Sequence, residues 1–83
     1  MKFKAEIDVM PLKALLDPQG KAVSSSMSNV GLSQISNVRI GKHMTLEIEA
    51  SNIDDAKELV AKACKDMLCN QIMEEYHFTV TAL

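Results

Sequence analysis

Tryptophan is absent from this sequence, and its aromatics are limited to Phe3, Tyr76 and Phe78. Little is left for stacking on bases. The formal net charge of −2 also denies the basic face that phosphate contacts require, so nucleic acid is excluded as a partner. No apolar run approaches the ~20 residues of a membrane span, and the charged, alternating N-terminus does not read as a signal peptide. A cytoplasmic chain is expected, with no membrane partner. Cysteine is scarce as well. Cys64 and Cys69 are too few for a disulfide framework, and a spacing of five on one helix sets them roughly 140° apart. His43 and His77 supply no ligand pair at a metal-binding spacing. Two reduced, structural thiols and no metal site are the expectation.

What is present is the composition of an ordinary soluble globule, 47% apolar and 24% charged over 83 residues. No composition break divides it, so residues 1–83 read as one domain. A chain this short buries only roughly 60–65% of its unfolded surface, and a partner surface would extend its thin core.

Residues Lys2 to Met10 alternate, with Phe3, Ala5, Ile7 and Val9 on one side and Lys2, Lys4, Glu6 and Asp8 on the other. Period two over that length predicts a half-buried strand, ended by Pro11. The apolar stretch Leu12-Lys13-Ala14-Leu15-Leu16 is expected to tuck partly under the fold and partly toward another subunit. From Pro18 to Val30, the spacing of Val23, Met27 and Val30 predicts a helix with a serine-rich flank, closed by Gly31. A hairpin follows, with Ile35 to Ile40 as one arm, Gly41-Lys42 as the turn and Met44 to Ala50 as the other. Ser51 or Asn52 caps a second helix, and Asp54 and Asp55 offset its dipole. Its apolar face is Ile53, Ala56, Val60, Ala63 and Met67, widened by Leu59, Cys64 and Leu68, with Asn70 as the stop. Tyr76, Phe78, Val80 and Ala82 form the inner side of a last strand.

The predicted order is strand, helix, strand, strand, helix, strand. This is the α+β, ferredoxin-like split βαβ arrangement, a four-stranded antiparallel sheet with two helices on one face. The open face would carry Lys2, Lys4, Glu6, Asp8, Arg39, Thr45, Glu47 and Glu49.

The parts for catalysis are missing. Neither cysteine has a histidine at a motif spacing. Glu74 and Glu75 point to opposite faces of a strand, so they are no acid–base pair. His77 falls on the open face as a solvated residue. There is no phosphate-binding glycine loop, and no cysteine pair in the first strand-to-helix loop for a metal carrier. An RNA-recognition sheet would need aromatics where Ile7 and Ile40 stand. An acylphosphatase would need an arginine in the first loop, which offers Lys13 instead. No catalytic residue and no cofactor is assigned to this chain.

One stretch gives up local stability without a folding reason. Asp17 and Pro18 form a helix start, an acceptor at the N-cap followed by a fixed φ. Gly20 then occupies the first turn, where another residue would hold the helix better by up to ~1 kcal/mol. A glycine there implies that something approaches the backbone closely, beside unpaired N–H groups and the charge of Lys21.

Three blocks carry a resemblance to one family. They are Leu16-Asp17-Pro18-Gln19-Gly20-Lys21-Ala22-Val23, then Val38-Arg39-Ile40-Gly41-Lys42, then Leu68-Cys69-Asn70 leading to Ile72-Met73-Glu74-Glu75-Tyr76. In order and spacing they resemble PurS, the small subunit of bacterial and archaeal phosphoribosylformylglycinamidine (FGAM) synthase, over essentially the whole chain. The resemblance implies a non-catalytic subunit in purine biosynthesis. The full enzyme converts formylglycinamide ribonucleotide (FGAR), ATP and glutamine to FGAM, ADP, phosphate and glutamate. ATP and magnesium belong to the synthetase subunit (PurL), and ammonia comes from the glutaminase subunit (PurQ). The PurS-like chain would bridge the two as a homodimer, or as two such dimers paired, and help close the ammonia path. Asp17, Pro18, Gln19, Gly20 and Lys21 would form one docking element, and Arg39, Gly41 and Lys42 a second. On that reading Gly20→Val would spare the fold and weaken assembly. Gln71 departs from the family, which commonly has proline after Asn70. A ferredoxin-like ligand-sensing regulatory domain, acting as a dimer, is the competing reading.

Overall fold

Alternation in the first ten residues produces the central strand of the sheet. In the computed structural model, which describes residues 1–13 and 17–83, β1 (Lys2–Pro11) lies between β2 (Lys42–Glu49) and β3 (Glu74–Ala82), antiparallel to both. Helices α1 (Pro18–Met27) and α2 (Ile53–Ala63) complete the elements. Because β1 is central, its inward residues Phe3, Ala5, Ile7 and Val9 are the most deeply buried side of any strand. Ala56, Val60 and Cys64 cover them, joined by Cys69 and Val80. Full burial of a Val- or Ile-sized side chain stabilises by roughly 1.5–3 kcal/mol, so this single layer supplies most of the core. Of the predicted polar face, Lys2, Glu6, Asp8, Thr45, Glu47 and Glu49 are exposed together with His77, and His43 Nδ1 lies 2.7 Å from Asp8 Oδ1.

Three expectations are corrected. The sheet has three strands among the described residues, not four. Ile35 to Ile40 is not a strand, because its backbone groups are engaged elsewhere: Val38 N–H donates to Ser24 Oγ (2.8 Å) and Ile40 N–H to Asp17 Oδ2 (3.0 Å). Asn37, at φ 56°, turns the chain out of the extended region just before them. No hairpin turn forms at Gly41-Lys42; Lys42 pairs directly with Val9. The outer edges of β2 and β3 are both left without a partner strand among the described residues. Arg39 consequently leaves the open face and donates to the Pro11 carbonyl at the end of β1, which runs through Pro11 itself.

The second correction concerns the helices. Only α2 lies on the sheet, touching all three strands, whereas α1 packs mainly on its own continuation, a 3₁₀ turn over Ser28–Val30. The α1 segment therefore projects as an arm. The molecule measures 52 × 26 × 14 Å, and its 16.5 Å radius of gyration exceeds the about 12 Å of a compact chain this long. The arm ends as predicted at Gly31, φ 81°, where Leu32 N–H donates to the Met27 carbonyl (2.8 Å). Its apolar residues are poorly covered, Val30 being 69% exposed.

The third correction is in α2, whose end widens into a π turn over Cys64–Leu68, closed by Cys69 N–H to the Cys64 carbonyl (3.0 Å). The wider turn brings both cysteines inward despite their spacing of five, and it expels Met67, expected on the apolar face, to 85% exposure. Both thiols are free. Burial pushes each above its ordinary value, with the neighbouring Cys69 adding to the effect on Cys64 and Glu74 to that on Cys69. The start of α2 follows expectation: Asn52 is the cap, its Oδ1 accepting from Asp55 N–H (2.9 Å). Of the apolar loop after β1, residues 14–16 lie outside the described residues. Leu12 is half-buried, and its N–H donates to the Met73 carbonyl (2.9 Å).

Candidate docking site

The three blocks singled out in the sequence meet at the far end of β1. Asp17 joins the first two. Its Oδ1 accepts from Gly20 N–H (3.0 Å), which caps α1, while its Oδ2 accepts from Ile40 N–H (3.0 Å). Those two N–H groups, Gly20 first, hold the Asp17 carboxyl below the usual carboxylate range, and the nearby Arg39 guanidinium adds to the effect. Asp17 is thus a strut between α1 and residues 38–40 rather than a side chain offered to a partner.

Gly20 is explained by the same junction. It is buried, and a Cβ there would overlap the Val38 carbonyl and lie 2.7 Å from Asp17 Oδ2. The close approach inferred from the glycine is real, but the approaching group is this chain's own backbone. Gly20→Val would therefore disturb the subunit itself, contrary to the expectation that it spares the fold. Gly41 plays the matching part at β1, where a Cβ would overlap the Val9 carbonyl and the Met10 sulfur. Arg39 is half-buried and braces the Pro11 carbonyl. Three of the eight predicted docking residues, Asp17, Gly20 and Arg39, are internal supports, and Gly41, although exposed, packs its backbone close against Val9 and Met10.

The other four, Pro18, Gln19, Lys21 and Lys42, are exposed. Pro18, Gln19 and Lys42 border an open cleft of about 530 Å³ together with Pro11, Ile40, Asn70, Met73 and Glu74. Lys21 lies on the other side of Asp17, along a second groove. Asn70, Met73 and Glu74 were not among the residues assigned to docking, although the third block contains them. Their place is set by a turn in which Asn70 does most of the bonding. Its Oδ1 accepts from Ile72 N–H (3.1 Å), its carbonyl from Met73 N–H (3.0 Å) and Glu74 N–H (2.7 Å), and its N–H donates to Glu74 Oε1 (2.9 Å). Glu74 Oε2 then reaches Lys42 Nζ at 3.7 Å, joining the third block to the second. The signal for this lay in the Asn-x-x-x-Glu spacing, which suits an Asx turn followed by a strand. Gln71, where the resemblance led us to expect a proline, stands within that turn.

Among the described residues the cleft holds no paired nucleophile and base. Its one lysine is matched by Glu74, and both cysteines lie in the core. Among the described residues no three His, Cys, Asp or Glu side chains group as metal ligands, and no helix is long and apolar enough to cross a membrane. Shape and hydrogen-bonding groups are what this end of the molecule presents.

Comparison with known proteins agrees with the residues. The family model described as PurS, phosphoribosylformylglycinamidine (FGAM) synthase, matches residues 4–82. The chain belongs to the PurS family. It is 36% identical to the phosphoribosylformylglycinamidine synthase subunit PurS of Bacillus subtilis (strain 168) over 94% of this chain and 92% of that protein. The subunit of the same name from Synechocystis sp. is 39% identical, over 98% of this chain and 81% of its own length. In three dimensions it is similar to a chain in the structure of PurLQS from Thermotoga maritima, with a TM-score of 0.88, 33% identity, and 98% of this chain and 99% of that chain covered. PurS-family membership decides for the synthase subunit over the ligand-sensing domain.

Proposed function

We propose that this chain is the bridging subunit of FGAM synthase in purine biosynthesis, contributing contact surface and no reacting group. The observation that carries this reading is the convergence of three separate sequence blocks on one open cleft that lacks catalytic machinery. Pro18, Gln19, Lys21 and Lys42 meet the partner subunits, and Asp17, Gly20, Arg39 and Gly41 hold them in position. ATP and magnesium act in the synthetase subunit, and a glutaminase subunit releases the ammonia. Ammonia must cross between them without escaping or gaining a proton in bulk water, so the seam has to be closed and poor in water. A rigid cleft beside a helix start suits that task. The cytoplasm, where these substrates occur, is its place of work.

The chain acts as a homodimer. Support comes from the arm, on which Val23, Met27 and Val30 form an apolar stripe that the sheet of the same chain does not cover. A second copy supplies the missing cover and enlarges a thin core.

Reconstitution tests the reading. The three subunits are mixed and glutamine-driven FGAM formation is followed with and without this chain. Turnover is expected to collapse when it is left out. Full turnover in its absence, or turnover by the chain alone, overturns the assignment.

A further inference from the structure

On the side of Asp17 away from the cleft, a second groove of about 410 Å³ is bordered by Lys13, Lys21, Ser24, Asn37 and Arg39. Three cations stand there against a single carboxylate, on a chain whose net charge is −2. That carboxylate, Asp17, is held ionised beside Arg39, so the cations still outnumber the carboxylate by two. Lys13 and Lys21, like Lys4, Lys57 and Lys65, have no carboxylate within 4.0 Å among the described residues, but they are the two that share one groove with the arginine. Arg39, the chain's sole arginine, is anchored at the base of the groove by the Pro11 carbonyl, which fixes a planar, permanently charged group in place.

We infer that this groove receives an acidic peptide segment of a partner subunit, whose carboxylates pair with Lys13 and Lys21 beside the anchored Arg39. The inference rests on the docking reading above and adds the chemistry of the occupant. Charge complementarity supports it, because a cationic strip on an acidic protein is matched by carboxylates and repelled by little else nearby. Continuity supports it too, since Asp17 borders both this groove and the cleft, so a segment crossing the α1 start engages the two together. A nucleotide is the poorer fit, as no aromatic side chain borders the groove to stack on a base.

The test measures assembly of the Lys13→Glu/Lys21→Glu chain with the synthetase and glutaminase subunits, by sedimentation at 50 and 300 mM salt. Lys57→Glu, on the exposed side of α2, is the control. The wild-type and control complexes are expected to weaken steeply with salt. The double variant should dissociate about tenfold or more readily at low salt and show little further salt dependence, with an unchanged circular dichroism spectrum. Equal affinity and equal salt dependence in the double variant overturn the groove assignment while leaving the docking reading in place. Failure of the wild-type chain to assemble at all overturns both. Calorimetry with inorganic phosphate and with ATP on the isolated chain covers the remaining possibility: binding that the double substitution abolishes makes a free anion the occupant and overturns the peptide assignment.

Discussion

Both helices carry apolar residues at helical spacing, yet α2 buries Ala56 and Val60 beneath itself while α1 buries only Gly20. The difference begins in their flanks. α2 opens with Asn52, Asp54 and Asp55 and carries Lys62 in its last turn, so cap and dipole are both satisfied before packing is considered. α1 has a cap but no acidic residue in its first turn and no basic one in its last, and serines fill its middle. What keeps α1 in place is a polar junction at one end. α2 is held along its length by the core. The comparison teaches that one chain can divide its work between a helix that makes the fold and a helix that awaits another surface.

The largest effect should come from setting the two helices against each other. Val60→Ala removes buried volume from the core and should cost about 2 kcal/mol in urea denaturation. Val23→Ala, on the arm, should change the stability of dilute monomer by less than about 0.5 kcal/mol, while measurably raising the dissociation constant of the dimer. Equal losses of monomer stability would erase the distinction between the helices.

A smaller effect is expected at the junction. Gly20→Ala forces a methyl group against the Val38 carbonyl and should cost about 1–2 kcal/mol, with weaker assembly as a consequence of the displaced α1 start. A variant as stable as wild type would show that the junction yields without resistance.

The mildest perturbation is acid. Since N–H donation lowers the native pKa of Asp17, its support of the junction is complete above the unfolded-chain value of about 3.9. That support is lost as pH falls through the lower native value. Protection factors of the Gly20 and Ile40 amides, measured by NMR from pH 6 downward and corrected for the intrinsic pH dependence of exchange, should fall as Asp17 protonates, ahead of that of Val60. Simultaneous loss of protection at all three sites would mean that the junction has no independent behaviour.

Much of this was readable in advance where the pattern was long. Nine alternating residues specify β1, and the caps and 3.6-residue spacing specify α2, because burial of one face enforces the period. The segment Ile35 to Ile40 was misread for a physical reason. A short apolar alternation is equally consistent with a strand and with a loop whose N–H groups go to side chains, and Ser24 and Asp17 lie far away in sequence. The π turn was hidden for a similar reason, since nothing in Cys64–Leu68 marks a change of helix type except which residues end up inside. At the proposed docking site, the residues named from the sequence gather around one end of β1 but differ in their structural roles. Asp17, Gly20 and Arg39 looked outward-facing because local spacing cannot reveal a contact made to a distant segment. The third block supplied Asn70, Met73 and Glu74 because the order of strands carries its turn beside the end of β1.

With β1 in the middle, both margins of the sheet are open among the described residues, each a row of amide and carbonyl groups able to pair with an extended chain. The charges of Glu47 and Glu49 on β2 discourage flat stacking, but they do not block an edge. Edges of this kind are where folded molecules can pair strand to strand, so two separate margins give this small sheet two such places.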